Sequence, residues 1–271
     1  EYESHFSYNL SFKKWSQKPG GTLFFDNFIN NSAQAIDNLN TSEIALALRY
    51  APRERFYQGK IYRTPIIDKY PVFNLRYTAG LKGIFDSEYD YHKLTGSIEK
   101  RFYLSQLGYS DVTAEGGYIF GKVPFPLLTI HRANQTYAYQ LNSYNLMNFL
   151  EFVSDHYASL NIDHNFNGFF FNKIPLLKKL KLRENASFKI LYGGIREENN
   201  PELDRSLLRF PVNHDGVTTT HSLTREPYME GSVGIGNIFK LLRVDLVKRF
   251  NYLDHPVVSE WGIRARVKFD F

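Results

Sequence analysis

The feature that most constrains this chain is a two-residue alternation of apolar and polar side chains, repeated in ten segments along its length. It is clearest at the end, where Ile263, Ala265, Val267, Phe269 and Phe271 interleave with Arg264, Arg266, Lys268 and Asp270. Successive side chains of a strand point to opposite faces, so a period of two assigns one set to each side of a sheet. Reading backwards, Leu242, Val244, Leu246 and Phe250 oppose Arg243, Asp245, Val247 and Arg249, with Lys248 interrupting the apolar face. Residues 228–235, 185–192, 158–166, 109–120, 93–103, 71–82, 43–50 and 5–12 alternate in the same way. Ten strands are predicted.

The polar faces of these strands carry Arg, Lys, Glu, Asp and Asn in mid-strand. A small soluble barrel fills its interior with aliphatic side chains, whereas a water-filled membrane barrel is apolar outside and polar inside. A sheet solvated on one face also alternates. It would need a partner layer for ten apolar faces, and no segment with a 3.6-residue period is available to supply one. Composition agrees with the barrel: 19 Tyr and 23 Phe give a chain that is 16% aromatic but only 43% apolar, which suits aromatic girdles around a polar lumen. No run of about 18 uncharged apolar residues predicts a transmembrane helix. The expected fold is all-β, a transmembrane antiparallel β-barrel, with residues 1–271 as one outer-membrane barrel domain. The sequence opens in mid-alternation at Glu1-Tyr2-Glu3 without a basic and apolar leader: either a leader has been removed or, as the immediate strand favours, this is the interior of a longer protein.

A last strand ending in an aromatic is the pattern of a barrel-assembly signal, here Ile263, Ala265, Val267, Phe269 and Phe271, and it implies the barrel-assembly machinery as a partner during biogenesis. With Phe271 at the periplasmic end, the inner connections are 236–240, 167–181, 104–108 and 51–70. The outer ones are 251–259, 194–227, 121–147, 83–92 and 14–41. Short inner turns and longer outer loops are the barrel rule. Segment 51–70 exceeds it, and residues 22–29 suit an extended hairpin above the membrane.

Loop 121–147 stands out. Its stretch Gly121-Lys122-Val123-Pro124-Phe125-Pro126-Leu127-Leu128 is too apolar to wave in water. Two placements are open: a packed extracellular cap, or a fold back into the lumen with Arg132 pairing to a wall carboxylate. Arg132, Asn134, Gln135 and Tyr137 are the lumen-loop candidates.

Catalytic, metal and cofactor chemistry find little footing. There is no Cys, so no disulfide framework and no thiolate site. A lipid-facing hydrolase needs a Ser beside a His, and His164 has no Ser two residues later. Asp155-His156 and Asp254-His255 are neighbours in sequence, so alternation sends their side chains to opposite faces. The eight His show neither HxH nor HExxH spacing. Asp86-Ser87-Glu88-Tyr89-Asp90 reads as a solvated acidic loop, with a weak calcium site as the alternative. The net charge of +5 is spread strand by strand, which suits lumen and rim positions better than a nucleic-acid surface. No catalytic residue, metal, cofactor or nucleic acid is expected.

Five runs carry a family resemblance: RYAPRERFYQGK (49–60), NLMNFLEFVSDHYASL (145–160), FNGFFFNKIPLLKKLKLRE (166–184), NIFKLLRVDLVKRF (237–250) and the final WGIRARVKFDF. They resemble a Bacteroidota outer-membrane family of unknown function, whose members carry a carboxypeptidase-regulatory-like domain before a C-terminal barrel. That family in turn resembles the sixteen-stranded Omp85-type barrels, which insert or secrete proteins. The resemblance implies a non-enzymatic Omp85-like assembly, export or accessory subunit in the outer membrane of a Gram-negative bacterium. Outer-membrane lipid and other outer-membrane subunits would be its partners, and these ten strands the last ten of sixteen. It also makes 121–147 the counterpart of the sixth outer loop, which enters the lumen with an Arg-Gly-Tyr motif. Arg132-Ala133-Asn134 departs from that motif and puts an insertase mechanism in question. The alternatives are a passive pore or nutrient-uptake component and, behind it, a hydrolase sited at the rim. A loop filling the lumen favours the first reading, an open charged channel the second.

Overall fold

The fold is given by a computed structural model, which describes residues 5–267 other than 22, 30–31, 61–62, 67–68 and 214. In chain order its strands begin with β1 (Phe6–Gln17), β2 (Asp26–Ile29), β3 (Ser32–Ala35), β4 (Leu39–Tyr50), β5 (Arg55–Gln58) and β6 (Arg63–Ile66). There follow β7 (Val72–Gly80), β8 (Tyr91–Tyr103), β9 (Tyr109–Phe120), β10 (Thr129–Ile130), β11 (Phe152–Ser154) and β12 (His156–Asn165). The last are β13 (Arg183–Gly194), β14 (His221–Ser222), β15 (Tyr228–Ile238), β16 (Leu242–Arg249) and β17 (Trp261–Val267). Among the described residues one short α-helix, α1, spans Pro175–Lys179.

Ten of these strands make one antiparallel sheet in the order β1-β4-β7-β8-β9-β12-β13-β15-β16-β17. They coincide with the ten alternating segments of the sequence, and each non-consecutive step merely skips strands that lie in loops. The fold is all-β and of the barrel type. Residues in register share a face, as in Leu10↔Leu46, Leu160↔Ile190 and Leu246↔Ile263. On the outer face Leu10 is 68% exposed and Ile263 65%. On the inner face Lys189, Glu230, Asp245 and Arg249 are buried. A soluble sheet does the reverse, because buried charge is costly and buried apolar surface is not.

The outer face carries its own cross-strand pairs. Tyr50 stacks on Phe73 with centroids 6.3 Å apart, and the Tyr77 hydroxyl meets His92 Nδ1 at 2.8 Å. Lys248, the cation that interrupts the apolar set of its strand, lies 4.7 Å over the Trp261 ring and 3.4 Å from Glu260. Its charge is thereby accommodated at the rim, where a long side chain can reach polar surroundings.

Connections at the two ends differ as expected. At one end are residues 104–108, 166–182, 239–241 and 51–71, the last containing the β5–β6 hairpin that makes it long. Connection 104–108 places Gly108 at φ +85, where a Cβ would stand 1.9 Å from the Asn165 carbonyl oxygen, so only glycine fits. The other end carries the long loops. The hairpin expected over 22–29 is the β2–β3 pair and lies further along, at 26–35. Loop 121–147 runs on to residue 155, because β11 belongs with it and not with the wall.

Among the described residues neither β1 nor β17 pairs with a further wall strand. Of the assembly-signal residues, Ile263, Ala265 and Val267 lie on β17, and Phe269 and Phe271 fall outside the described residues. Among the described residues no helix is long and apolar enough to cross a membrane, a statement that does not bear on strands.

Candidate functional site

The two longest loops of the long-loop end, 121–155 and 195–227, fold back over the inner face of the sheet. They meet in a small sheet in which β10 pairs antiparallel with β11, and β11 pairs parallel with β14. Two apolar clusters hold this insert. Val123, Phe125, Leu127 and Leu128 pack with Phe25, Leu39, Tyr91, Ile119, Leu208 and Phe210, which forms a cap at the outer end. Tyr144, Met147 and Phe152 pack with Leu191, Leu223 and Tyr228 against the inner face of the wall. The two placements open for loop 121–147 are therefore both realised. Its proline-rich first part is a cap, and its second part enters the lumen.

Polar groups of the wall grip the second part. Glu230 of β15 accepts hydrogen bonds from the backbone N–H of Asn145 (2.8 Å) and Leu146 (3.1 Å) and from the Tyr228 hydroxyl (3.1 Å). Beside it Lys189 of β13, 3.5 Å away, donates to the carbonyl oxygens of Gln140 (2.9 Å) and Ser143. An anion thus takes the donors of one turn while a cation takes its acceptors. Lys189 and Glu230 face each other in register across β13 and β15. Both are buried, and burial of the pair is tolerable only because each charge is also hydrogen-bonded. Below them the Tyr139 hydroxyl donates to Ser187 Oγ at 2.7 Å, and its ring lies 4.8 Å from the Arg243 guanidinium. Arg243 in turn forms two bonds to Asp163 and two to Asp245.

Two further clamps lie higher. Arg249 of β16 reaches Glu151 with two bonds and also donates to the carbonyls of Leu146, Asn251 and Tyr252. His255 Nδ1 lies 2.9 Å from the same Glu151 carboxylate. Burial pushes the Glu151 carboxyl upward, but the bonds from His255 and Arg249 outweigh it and leave it below its ordinary value. Asp155 receives Arg196 Nε at 3.0 Å, Asn199 Nδ2 at 2.9 Å and His156 Nδ1 at 2.6 Å. The same balance, burial raising and these bonds lowering, leaves it below its ordinary value.

Arg132 projects from the plug with a 65% exposed side chain, and its Nη2 lies 3.7 Å from Glu115 Oε2. Asn134 is buried and orders the loop tip, donating to the Ala138 carbonyl (2.6 Å) and to Asn145 Oδ1 (2.8 Å). Gln135 lines an outer cavity with Glu151, His221 and His255. The Tyr137 ring is solvent-exposed, and its carbonyl accepts a hydrogen bond from the N–H of Ala265 at 2.9 Å. Tyr139 N–H donates to the Ala265 carbonyl at 2.8 Å, so the loop adds a short parallel rung to the outward edge of β17. Sequence reasoning missed Glu230, Lys189, Glu151 and Arg249. Their signal was a charge in mid-strand or mid-loop, with nothing local to name its partner.

Two expectations about chemistry need correction. Asp155 and His156 do bond, because Asp155 sits in the bend between β11 and β12 where strand alternation lapses. His164 also has a serine neighbour: Ser110 Oγ lies 2.7 Å from its Nδ1, directly across the β9–β12 ladder. Among the described residues no carboxylate is bonded to the other nitrogen of that ring, so the pair lacks the third group that orients a catalytic imidazole. Asp254 does not pair with His255, which turns to Glu151. No group of three or more His, Asp or Glu suited to a metal occurs among the described residues. His131, buried in the plug near Lys93, is pushed down to about 3 by its burial and then by that cation. Its Nε2 lies 2.9 Å from Ser154 Oγ.

Between the plug and the β1–β9 side of the wall a cavity of about 690 Å³ remains. Arg76, Lys93, Glu99, Glu115, Arg132 and Tyr157 are among the residues that line it.

A family model described as the C-terminal domain of a family of unknown function, DUF5686, matches residues 5–200. Among solved structures the fold is similar to that of BamA from Haemophilus ducreyi lacking POTRA domains 1–3, with a TM-score of 0.57 and 9% identity. That match covers 98% of this chain and 52% of the other, so the chain spans about half the length of that BamA chain. At this identity the likeness shows the fold alone. OccK11 (OpdR) of Pseudomonas aeruginosa aligns over 97% of this chain and 64% of its own at 9% identity, and its TM-score of 0.32 carries no argument. No curated protein matches the sequence significantly.

Proposed function

This chain belongs to the DUF5686 family, through its C-terminal domain, and from that premise we propose that it is a non-enzymatic, Omp85-like outer-membrane barrel with a plugged lumen. Its role in this reading is that of an assembly, export or accessory subunit, working in the outer membrane of a Gram-negative bacterium of the Bacteroidota. The observation that carries the reading is the grip of Lys189 and Glu230 on both the carbonyls and the N–H groups of residues 140–146. A loop clamped through both polarities is a built part of the lumen and not a flap passing by. The apolar outer face supports a lipid environment. The edges of β1 and β17, which among the described residues pair with no further wall strand, support completion by further strands, six in the sixteen-stranded reading, because unpaired backbone in lipid is costly. A carboxypeptidase-regulatory-like domain ahead of the barrel belongs to the same reading. Arg132-Ala133-Asn134 lacks the Arg-Gly-Tyr pattern, so insertion through that motif is not part of it.

The passive-pore alternative rests on the 690 Å³ cavity beside the plug. Planar-bilayer recording of the intact protein separates the two. The plugged reading expects a closed baseline with rare brief openings, and large steady currents would overturn it.

A further inference from the structure

The β12–β13 connection is the most unusual of the short-loop rim. From Phe166 to Leu182 it holds four lysines (Lys173, Lys178, Lys179 and Lys181) and no acid. All four are exposed, and none is ion-paired among the described residues. Interleaved with them are large apolar side chains left in the open: Phe170 at 50%, Ile174 at 49%, Leu176 at 66% and Leu180 at 56% exposure. Such a surface is expensive in water, and a soluble turn of this length would not keep it.

Aromatic contacts tie this turn to the outer face of the wall. His164, whose side chain shares the outer face of β12 with Leu160 and Ile162, has its ring 4.2 Å from that of Phe166. Phe166 packs on Phe170 at 5.4 Å, Phe170 on Phe169 at 4.9 Å, and Lys173 lies 4.2 Å over Phe169. The ladder begins on the apolar band and ends on a cation. The neighbouring turns of the same rim also present exposed apolar side chains, Tyr103, Leu104 and Leu107 on one side and Phe239 on the other. Gly108 of the first touches the Asn165 carbonyl, so these two turns form one continuous edge.

We propose that residues 166–182 are an interfacial anchor that docks on the inner leaflet of the outer membrane and takes anionic phospholipid headgroups on Lys173, Lys178, Lys179 and Lys181. This rests on the barrel reading and on the orientation that puts the short connections on the periplasmic side. Apolar side chains sunk to the acyl boundary and lysines held at headgroup level are the two halves of interfacial binding. Each lysine near an anionic surface contributes roughly fivefold to the preference. The continuity of the apolar band into the turn selects lipid over a protein partner as occupant.

The chain has no cysteine, so Leu176→Cys gives one labelling site in this domain for an environment-sensitive dye. The intact protein is placed in phosphatidylethanolamine vesicles with increasing phosphatidylglycerol, with and without brominated acyl chains. Leu75→Cys, on the outer face of β7, is the control. The expected result is a blue-shifted, bromine-quenched emission at position 176 that deepens with phosphatidylglycerol. Changing all four lysines to glutamine should raise the phosphatidylglycerol needed by several-fold at least. If position 75 is quenched and 176 is not, the anchor is refuted and the barrel reading stands. If neither is quenched, both fall. Quenching at 176 that ignores phosphatidylglycerol and the lysines refutes the headgroup site. Shielding of 176 only after an added outer-membrane protein binds replaces lipid with a protein partner.

Discussion

Arg249 and Glu151 stand 98 residues apart and are joined by two hydrogen bonds, Nη2 to Oε1 at 2.6 Å and Nη1 to Oε2 at 3.0 Å. One belongs to the wall and the other to the plug, and both side chains are almost wholly withdrawn from solvent. Cutting this bond should cost more than the bond is worth, because it strands a buried charge. Glu151→Ala should destabilise the folded protein by about 3–5 kcal/mol. The double change Arg249→Met with Glu151→Leu should recover much of that loss. Urea unfolding of the two variants in detergent micelles tests it; equal losses would refute the assignment.

The clamp on residues 140–146 makes a separate prediction. Glu230→Ala leaves Lys189 buried without its partner and frees two backbone donors. The wall should survive, since its ladders do not use that carboxylate, while the plug turn loosens. Bilayer recordings should then show frequent openings, and limited proteolysis should cut within 137–146. A variant as quiet and as resistant as the wild type would show that the clamp is idle.

Acidity should act on the plug through His131. Its folded value is held near 3 against an ordinary 6.5, first by burial and then by Lys93, so the folded state refuses a proton that the unfolded chain accepts. Stability supplied by the neutral ring is complete above about 6.5 and is lost as pH falls from there towards 3. Glu151 adds to the same slope only at the acid end, since its depressed carboxyl gives stability above the ordinary glutamate range and loses it as pH drops through the folded value. Protease resistance of the plug should therefore decline between neutral pH and about 4. His131→Gln should flatten the upper part of that decline.

Ser110 and His164 invite a direct check of the non-enzymatic reading. A fluorophosphonate probe should leave Ser110 unlabelled, as a serine without an oriented imidazole is a poor nucleophile. Labelling that disappears in Ser110→Ala would revive the hydrolase. The rim acids and histidines have their own control: changing Asp155, His156, Asp254 and His255 should leave lipid and peptide hydrolysis at background.

All ten wall strands were legible in the sequence, and the reason is physical. A wall between lipid and lumen imposes opposite demands on successive residues, so every strand repeats the same pattern. The plug was half legible. The apolar run 123–128 announced that it must be buried, but not against what. Asn145 finds Glu230 85 residues later, and no local spacing encodes such a meeting. The two mistaken expectations share a cause. Asp155 sits in a bend, where a strand's alternation does not apply, and the serine beside His164 lies across the ladder and not along the chain.

The bond between the plug tip and β17 has a further consequence. Ala265 turns its N–H and its C=O away from β16, and both are taken by the backbone at Tyr137 and Tyr139. A peptide unit has one donor to give, so any strand that zips along this edge must evict the tip at that rung or skip it. Strand pairing at this rung and the docking of the plug tip thereby draw on the same two backbone groups of Ala265.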